Sequence, residues 1–248
     1  MIKNMTELKQ AFIFAAGRGE RMKPITDKIP KPLIKIRDKS IIDYSIEKLD
    51  KITSIEKIII NGFYLSDQIL EHIKKLNNPK IIFSQELEKI ETGGGLVYAI
   101  NKIDLESPLL TINGDVLWEE KGLESDIEKL MKNWNSEEHD ILLGLKKVND
   151  LIGYEGSING SGDFEIIGSK LYRFPDRSMS YVYVGLQIIN PKILQNPPSK
   201  SFSMSYFYKS AVGEGGLVHR ISGIELDSKY FHIGTPTAIH LAENELSF

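Results

Sequence analysis

The chain has 248 residues, 31 Lys and Arg against 34 Asp and Glu, a formal net charge of -3 and no cysteine. A chain of this length buries a sizeable core as one domain, and its slightly acidic balance argues against a nucleic-acid-binding surface, which normally makes the whole domain basic. The lack of cysteine removes disulfides, thiolate nucleophiles and cysteine metal sites, and it fits a reducing cytosol.

The opening MIKNMTELKQ carries charge on both sides of its few apolar residues, and the apolar run after it is too short for a signal peptide or a membrane span. A soluble cytoplasmic protein with no membrane partner is expected. Residues 11–16 (AFIFAA) read as a buried parallel strand that stops at Gly17-Arg18-Gly19, where a backbone without side chains turns tightly. Arg18, Arg21, Lys23, Lys28 and Lys31 follow closely, and Pro24, Pro30 and Pro32 keep the segment out of a regular helix. A rigid, glycine-opened, cationic loop suits a polyphosphate. The same prolines argue against a nicotinamide oxidoreductase, whose phosphate loop runs straight into a helix.

Further on, helical spacing of Ile41, Ile42, Ser45, Ile46 and Leu49 predicts a helix over 40–50, with Ser40 as its cap. Residues 57–61 read as a strand, 65–76 as a helix, 80–83 as a strand, 91–99 as a helix opened by ETGGG, and 108–112 as a buried strand ending in NGDVLW. A helix is expected over 121–133. This β-α-β alternation implies a parallel sheet with right-handed crossovers, and ligands in such sheets sit at the carboxyl ends of the strands, where Gly17, Asn61 and Ser84 all fall.

From residue 140 the texture changes. Residues 140–146, 153–158, 163–167, 170–173 and 181–189 are short alternating or aromatic runs, which predict antiparallel strands added to the parallel core. A helix over 203–212, short strands over 218–221 and 230–233, and a closing helix over 235–246 complete the expectation. The fold class is therefore α/β: one domain built on a Rossmann-like, mostly parallel sheet flanked by helices. A parallel, polyphosphate-loop half covers about residues 1–135, and an antiparallel elaboration with the closing helix covers about 136–248; the family resemblance set out next implies that these are the nucleotide-binding and sugar-binding halves.

Read together, Gly17-x-Gly19-x-Arg21-Met22-x-Pro24-x-Thr26 and Pro30-Lys31-Pro32-Leu33, then ETGGG at 91–95, NGDVLW at 113–118, VYVGLQIINP at 182–191 and HIGTP at 232–236, resemble the sugar-1-phosphate nucleotidyltransferases in order and separation. The resemblance implies attack by a sugar-1-phosphate oxygen on the α-phosphate of a nucleoside triphosphate, giving a nucleotide sugar and pyrophosphate with no protein nucleophile. GERM, ETGGG and NGDV look most like the branch that uses UTP and N-acetylmuramate 1-phosphate in cell-wall recycling. Mannose-1-phosphate guanylyltransferases are the same-class alternative, and a non-catalytic nucleotide-sugar-binding paralogue is the alternative from another class.

By this resemblance Arg21 contacts the triphosphate, Lys31 bridges the two reacting phosphates and Asp115 holds Mg²⁺, with Mn²⁺ as a second option. Ala16, Gly17, Gly19, Glu20, Asn61, Glu91, Thr92, Gly93 and Asn113 are the implied nucleotide-binding residues, and Tyr154, Glu155 and Gly185 the implied sugar-pocket residues. His232 stands where relatives usually carry an aspartate. It either leaves the magnesium to Asp115 and the phosphates, which is the favoured reading, or biases the site toward a transition metal. The chain ends at its closing helix, so the acyltransferase β-helix of some bifunctional relatives is not expected. Oligomeric state is left open.

Overall fold

Short β-branched and aliphatic runs form the central strands, because a strand covered on both faces must be apolar throughout. The computed structural model describes residues 7–154, 162–168, 170–174, 178–209 and 220–247. Strand β1 (Gln10–Phe14) leads into a loop of three single 3-10 turns (Glu20–Met22, Ile25–Asp27, Lys31–Leu33) and a small hairpin, β2 (Lys35–Ile36) and β3 (Lys39–Ser40). Then come α1 (Ile41–Lys51), β4 (Lys57–Gly62), α2 (Ser66–Leu76), β5 (Ile81–Gln85), α3 (Glu91–Tyr98), β6 (Leu109–Asn113), β7 (Val116–Glu119) and α4 (Asp126–Asn133). The second half holds β8 (Ile141–Lys147), β9 (Leu151–Ile152), β10 (Glu165–Ile167), β11 (Lys170–Tyr172) and β12 (Tyr181–Ile189). It closes with α5 (Ser205–Tyr208), β13 (Ile221–Glu225), β14 (Lys229–His232) and α6 (Pro236–Glu245).

The main sheet has the order β13-β8-β12-β6-β1-β4-β5. Its β6-β1-β4-β5 half is parallel, as the β-α-β reading requires. Only β12 is reversed, running antiparallel to both β6 and β8. The expectation of antiparallel strands over 140–189 holds for β8 against β12 and for the β10–β11 hairpin, while the later strand β13 lies parallel to β8. A second sheet, β7-β14-β9, stands beside the main one. Its strand β7 was not expected, and it exists because Val116, Leu117 and Trp118 bury against Phe231 and Tyr230 of β14.

Strand alternation divides the core. Ala11, Ile13, Ile58 and Ile60 face α1, α2 and α4, whereas Phe12 and Ile59 face Leu96, Phe202 and Phe207. A third cluster joins Met22, Ile34, Ile36 and Ile41 to Leu117, Phe231, Ile233 and Ala242. This cluster pins the cationic loop to the second sheet, and burying Met22 alone contributes about 1.5–3 kcal/mol.

Local signals explain the remaining differences. Helix α4 starts at Asp126 rather than near 121, because Ser125 and Glu128 form a reciprocal capping box there. Ser40 precedes α1 as expected, yet its side chain makes no cap hydrogen bond. Of the helix expected over 203–212, only Ser205–Tyr208 is helical among the described residues.

Candidate active site

The loop after β1 is shaped by Gly19, which is left-handed at φ 62°. A β-carbon there would lie 2.9 Å from Thr26 Cγ2, and the Thr26 hydroxyl donates to the Gly19 carbonyl at 2.8 Å. Gly17 differs, since nothing lies within 4 Å of the place its β-carbon would take. The fold therefore requires a glycine at 19, while at 17 it leaves an open backbone. Arg18 extends over Phe63 and Tyr64, 5.8 and 5.9 Å from the ring centroids.

Asp115 reaches the centre through a close backbone approach. The Gly114 N–H donates to the Phe14 carbonyl at 2.8 Å, and a β-carbon on Gly114 would sit 2.3 Å from that same oxygen. The NGD turn thus lies directly on the end of β1. There the Lys31 ammonium pairs with Asp115 Oδ2 at 2.7 Å, with the lysine only 9 % exposed. Burial pushes the Asp115 carboxyl up, but Lys31 and the imidazole of His232 outweigh it, so the group stays below the usual carboxylate range. His232 is opposite Val116 in the β7–β14 pairing, and the Tyr154 ring stands edge-on to it at 5.7 Å. A β-carbon on Gly234 would lie 2.8 Å from His232 Nε2 and 3.5 Å from Arg21 Nη2. Arg21, Lys31, Asp115 and His232 are thereby gathered at one spot from three separate segments.

Among the described residues no three His, Cys, Asp or Glu side chains come together as an enclosing metal cage. A lone carboxylate, with the imidazole nearby, suits a hard cation that draws its other ligands from phosphates and water, and it does not suit a closed structural site.

Beside this centre is a pocket lined by Phe14, Ala16, Gly17, Asn61, Glu86 and Thr92 among others. Asn61 does not present a free amide there. Its Oδ1 accepts from the Ala15 N–H at 2.7 Å, and its Nδ2 donates to Glu86 Oε1 at 2.6 Å. Glu86 is 4 % exposed, and burial raises its carboxyl to about 7 against the opposing Asn61 hydrogen bond. Sequence reading missed this residue, although its place directly after β5 matches that of Ala15 after β1.

The other expected residues divide. Glu91 edges the pocket, exposed and 3.4 Å from Lys89 Nζ, and the Thr92 hydroxyl accepts from the Met204 N–H at 2.9 Å. Gly93 and Gly94 donate their N–H groups to the Phe202 carbonyl at 2.8 and 3.1 Å. A β-carbon on Gly93 would come within 2.3 Å of the Phe202 ring, so the glycine run has a packing cause of its own. Glu20 is exposed on the first 3-10 turn. Asn113 lines a second pocket with Thr92, Tyr183, Gln187 and Tyr208. Gly185 is left-handed at φ 82° and lies against Asn113, whose Cβ would be 2.8 Å from a β-carbon added there. Glu155 lies outside the described residues.

Comparison with known proteins now adds to this geometry. Residues 10–197 match the nucleotidyl transferase family. N-acetylmuramate alpha-1-phosphate uridylyltransferase of Caulobacter vibrioides is 30 % identical over 246 residues, 96 % of this chain and 97 % of that protein. D-glycero-alpha-D-manno-heptose 1-phosphate guanylyltransferase of Campylobacter jejuni is 34 % identical over 60 % of this chain and 62 % of its own. The fold agrees with that of HddC from Yersinia pseudotuberculosis complexed with GMP-PN, at a TM-score of 0.72 and 23 % identity, covering 96 % of this chain and 99 % of that one. No helix among the described residues is long and apolar enough to cross a membrane. The chain therefore belongs to the nucleotidyl transferase family, as one of its sugar-1-phosphate nucleotidyltransferases.

Proposed function

We propose that the chain transfers the uridylyl group of UTP to N-acetylmuramate 1-phosphate in the cytoplasm, releasing pyrophosphate. The half-buried Lys31–Asp115 pair beside the glycine-opened loop carries the transfer reading, and the relative matched along nearly its whole length carries the choice of substrates. The sugar-phosphate oxygen attacks the α-phosphorus, the bond to the β-phosphate oxygen breaks, and pyrophosphate leaves. Nothing in that exchange needs a protein nucleophile, so the protein's work is alignment and charge compensation.

Lys31 acts at the α-phosphate and the incoming sugar phosphate, and Arg21 at the leaving pyrophosphate. The open backbone at Gly17 lets amides approach the phosphates, which a β-carbon would obstruct. Asp115 is the residue to hold Mg²⁺, with His232 outside the ligand set; the ion, when bound, offsets negative charge on the phosphates. Tyr154, Glu155 and Gly185 are proposed for the sugar side.

A guanylyltransferase reading is kept because a guanylyltransferase relative matches over 60 % of the chain. Purified protein incubated with each triphosphate and a panel of sugar 1-phosphates, scored by pyrophosphate release, tests both. Highest kcat/KM with UTP and N-acetylmuramate 1-phosphate supports the proposal, and highest kcat/KM with GTP replaces it.

A further inference from the structure

A second cluster of charged side chains is built around Glu120, which follows β7 directly as Asp115 precedes it, so the two carboxylates stand at opposite ends of that strand. Each Glu120 oxygen is engaged twice. Oε1 accepts from the Trp118 indole N–H at 2.7 Å and from the Lys48 ammonium at 3.3 Å. Oε2 accepts from the Asp126 N–H at 3.2 Å and from the Ser228 hydroxyl at 2.5 Å. Asp126 is itself buried and accepts from the Tyr230 hydroxyl at 2.9 Å. Among the described residues Lys48 is the one cation paired with either carboxylate. It reaches Glu120 from the last turn of α1, with its Nζ 4.8 Å from the centroid of the buried Trp118 ring. Lys48 also lines a cavity with Lys51, Ile52, Leu123 and Ile127, so an amine held from one side is reachable from the other.

We propose that Lys48 is a site of covalent acylation by a small acyl phosphate. The ammonium gives one proton to water, and the free amine attacks the acyl carbonyl carbon. The bond from that carbon to the phosphate oxygen breaks, and phosphate leaves with the amine's second proton. The product is a neutral amide that retains one N–H. That N–H keeps the fourth hydrogen bond to Glu120, whereas an imine formed from an aldehyde would retain none and leave a carboxylate oxygen short of a donor. Ile52, Leu123 and Ile127 give the acyl chain an apolar wall, and Lys51 is the cation beside them that attracts the phosphate.

The surroundings also prepare the amine. Burial pushes the Lys48 ammonium below the ordinary lysine range and outweighs the Glu120 carboxylate, which favours the charged form. Lys51, on the same helix, acts in the direction of burial, and Asp126, on α4, acts against it. Glu128 is occupied in the capping box with Ser125. At neutral pH Lys48 therefore holds more free amine than an unperturbed lysine, and the free amine is the form that acylates.

The test incubates the purified full chain with acetyl phosphate at neutral pH and follows each lysine by peptide mass spectrometry, in buffer and in denaturing urea. In buffer Lys48 is expected to be acetylated faster than the exposed Lys35, Lys121 and Lys170. In urea that preference is expected to be lost, because it comes from the folded surroundings. A Lys48 that is no faster than those three in buffer overturns the proposal, and so does a preference that persists in urea. Melting temperature gives a second reading. Acetylation takes the cation away from Glu120 and Asp126, so the treated wild type should melt about 2 °C or more below treated Lys48→Arg, which keeps the charge and cannot form the same amide under these conditions. Equal melting temperatures for the two treated proteins count against the proposal.

Discussion

Lys31 and Asp115 are 84 positions apart in the chain, yet their charged atoms meet at 2.7 Å where the NGD turn lies on the end of β1. Each is the other's partner within a partly closed space, and the phosphates of the substrates would have to engage both. Their loss therefore has two separable consequences. Asp115→Asn and Lys31→Ala should each lower turnover by about 10² or more, because a preorganised charge is removed from the transferred group. Each should also cost about 1–3 kcal/mol of stability, since the remaining partner is left uncompensated. Turnover and a urea melt on the same preparations check this.

Arg21 is exposed on its 3-10 turn, and Arg21→Ala separates function from folding. Turnover should fall by about 10² or more while the melting temperature stays at the wild-type value, as expected for an exposed residue with no buried partner. A large drop in melting temperature would count against it.

The glycines make a paired prediction. Gly17→Ala meets no neighbour within 4 Å and should leave stability unchanged to within about 0.5 kcal/mol, yet raise KM for the triphosphate by about tenfold. Gly93→Ala puts a β-carbon 2.3 Å from the Phe202 ring and should destabilise by about 1–3 kcal/mol. Thermal melts with triphosphate titrations distinguish the two.

Glu86 also predicts the direction of a pH effect on stability. Its folded carboxyl is raised to about 7, so between the ordinary carboxylate range and that value the folded protein holds a proton that the unfolded chain has released. Stability contributed by this group therefore falls as pH rises through that window and levels off above it. Glu86→Gln removes the loss, and above about pH 7 it should be more stable than the wild type by on the order of 1–3 kcal/mol, with the gap closing below about pH 5. Chemical denaturation across pH measures it.

The metal proposal separates three variants. Asp115→Asn should abolish metal-dependent turnover, His232→Ala should weaken it modestly, and His232→Asp should be tolerated, because Mg²⁺ favours oxygen ligands and needs only one or two from protein. Turnover across Mg²⁺ and Mn²⁺ concentrations tests this. A His232→Ala enzyme as inactive as Asp115→Asn would make the imidazole part of the ligand set.

Much of the molecule was legible beforehand, where local rules dominate. Runs such as KIIIN and SPLLTIN give parallel strands because apolar stretches suit burial on both faces, and Gly17-Arg18-Gly19 lies in the loop after β1, which ends at Phe14 rather than at the expected residue 16. The motifs point to Arg21, Lys31 and Asp115, and the fold brings the three together. What escaped depends on long-range contacts. Strand β7 exists only through β14, over a hundred residues away, and β13 is parallel to β8 only because of where the intervening chain returns. Glu86 lacked any local signal of burial, since its surroundings are Asn61 and the Gly95 backbone rather than its sequence neighbours. Gly93 is a ligand candidate by motif, and its additional packing against Phe202, far along the chain, is a need for glycine that the motif does not carry.

The most direct measurement follows the label from UTP carrying a radioactive α-phosphate, incubated with N-acetylmuramate 1-phosphate and Mg²⁺. Label entering a UDP-sugar, one equivalent for each pyrophosphate released and lost in Lys31→Ala, is the expected result. Label remaining in UTP despite tight binding of both substrates would make the chain a nucleotide-sugar-binding protein without transferase activity, contrary to the function proposed.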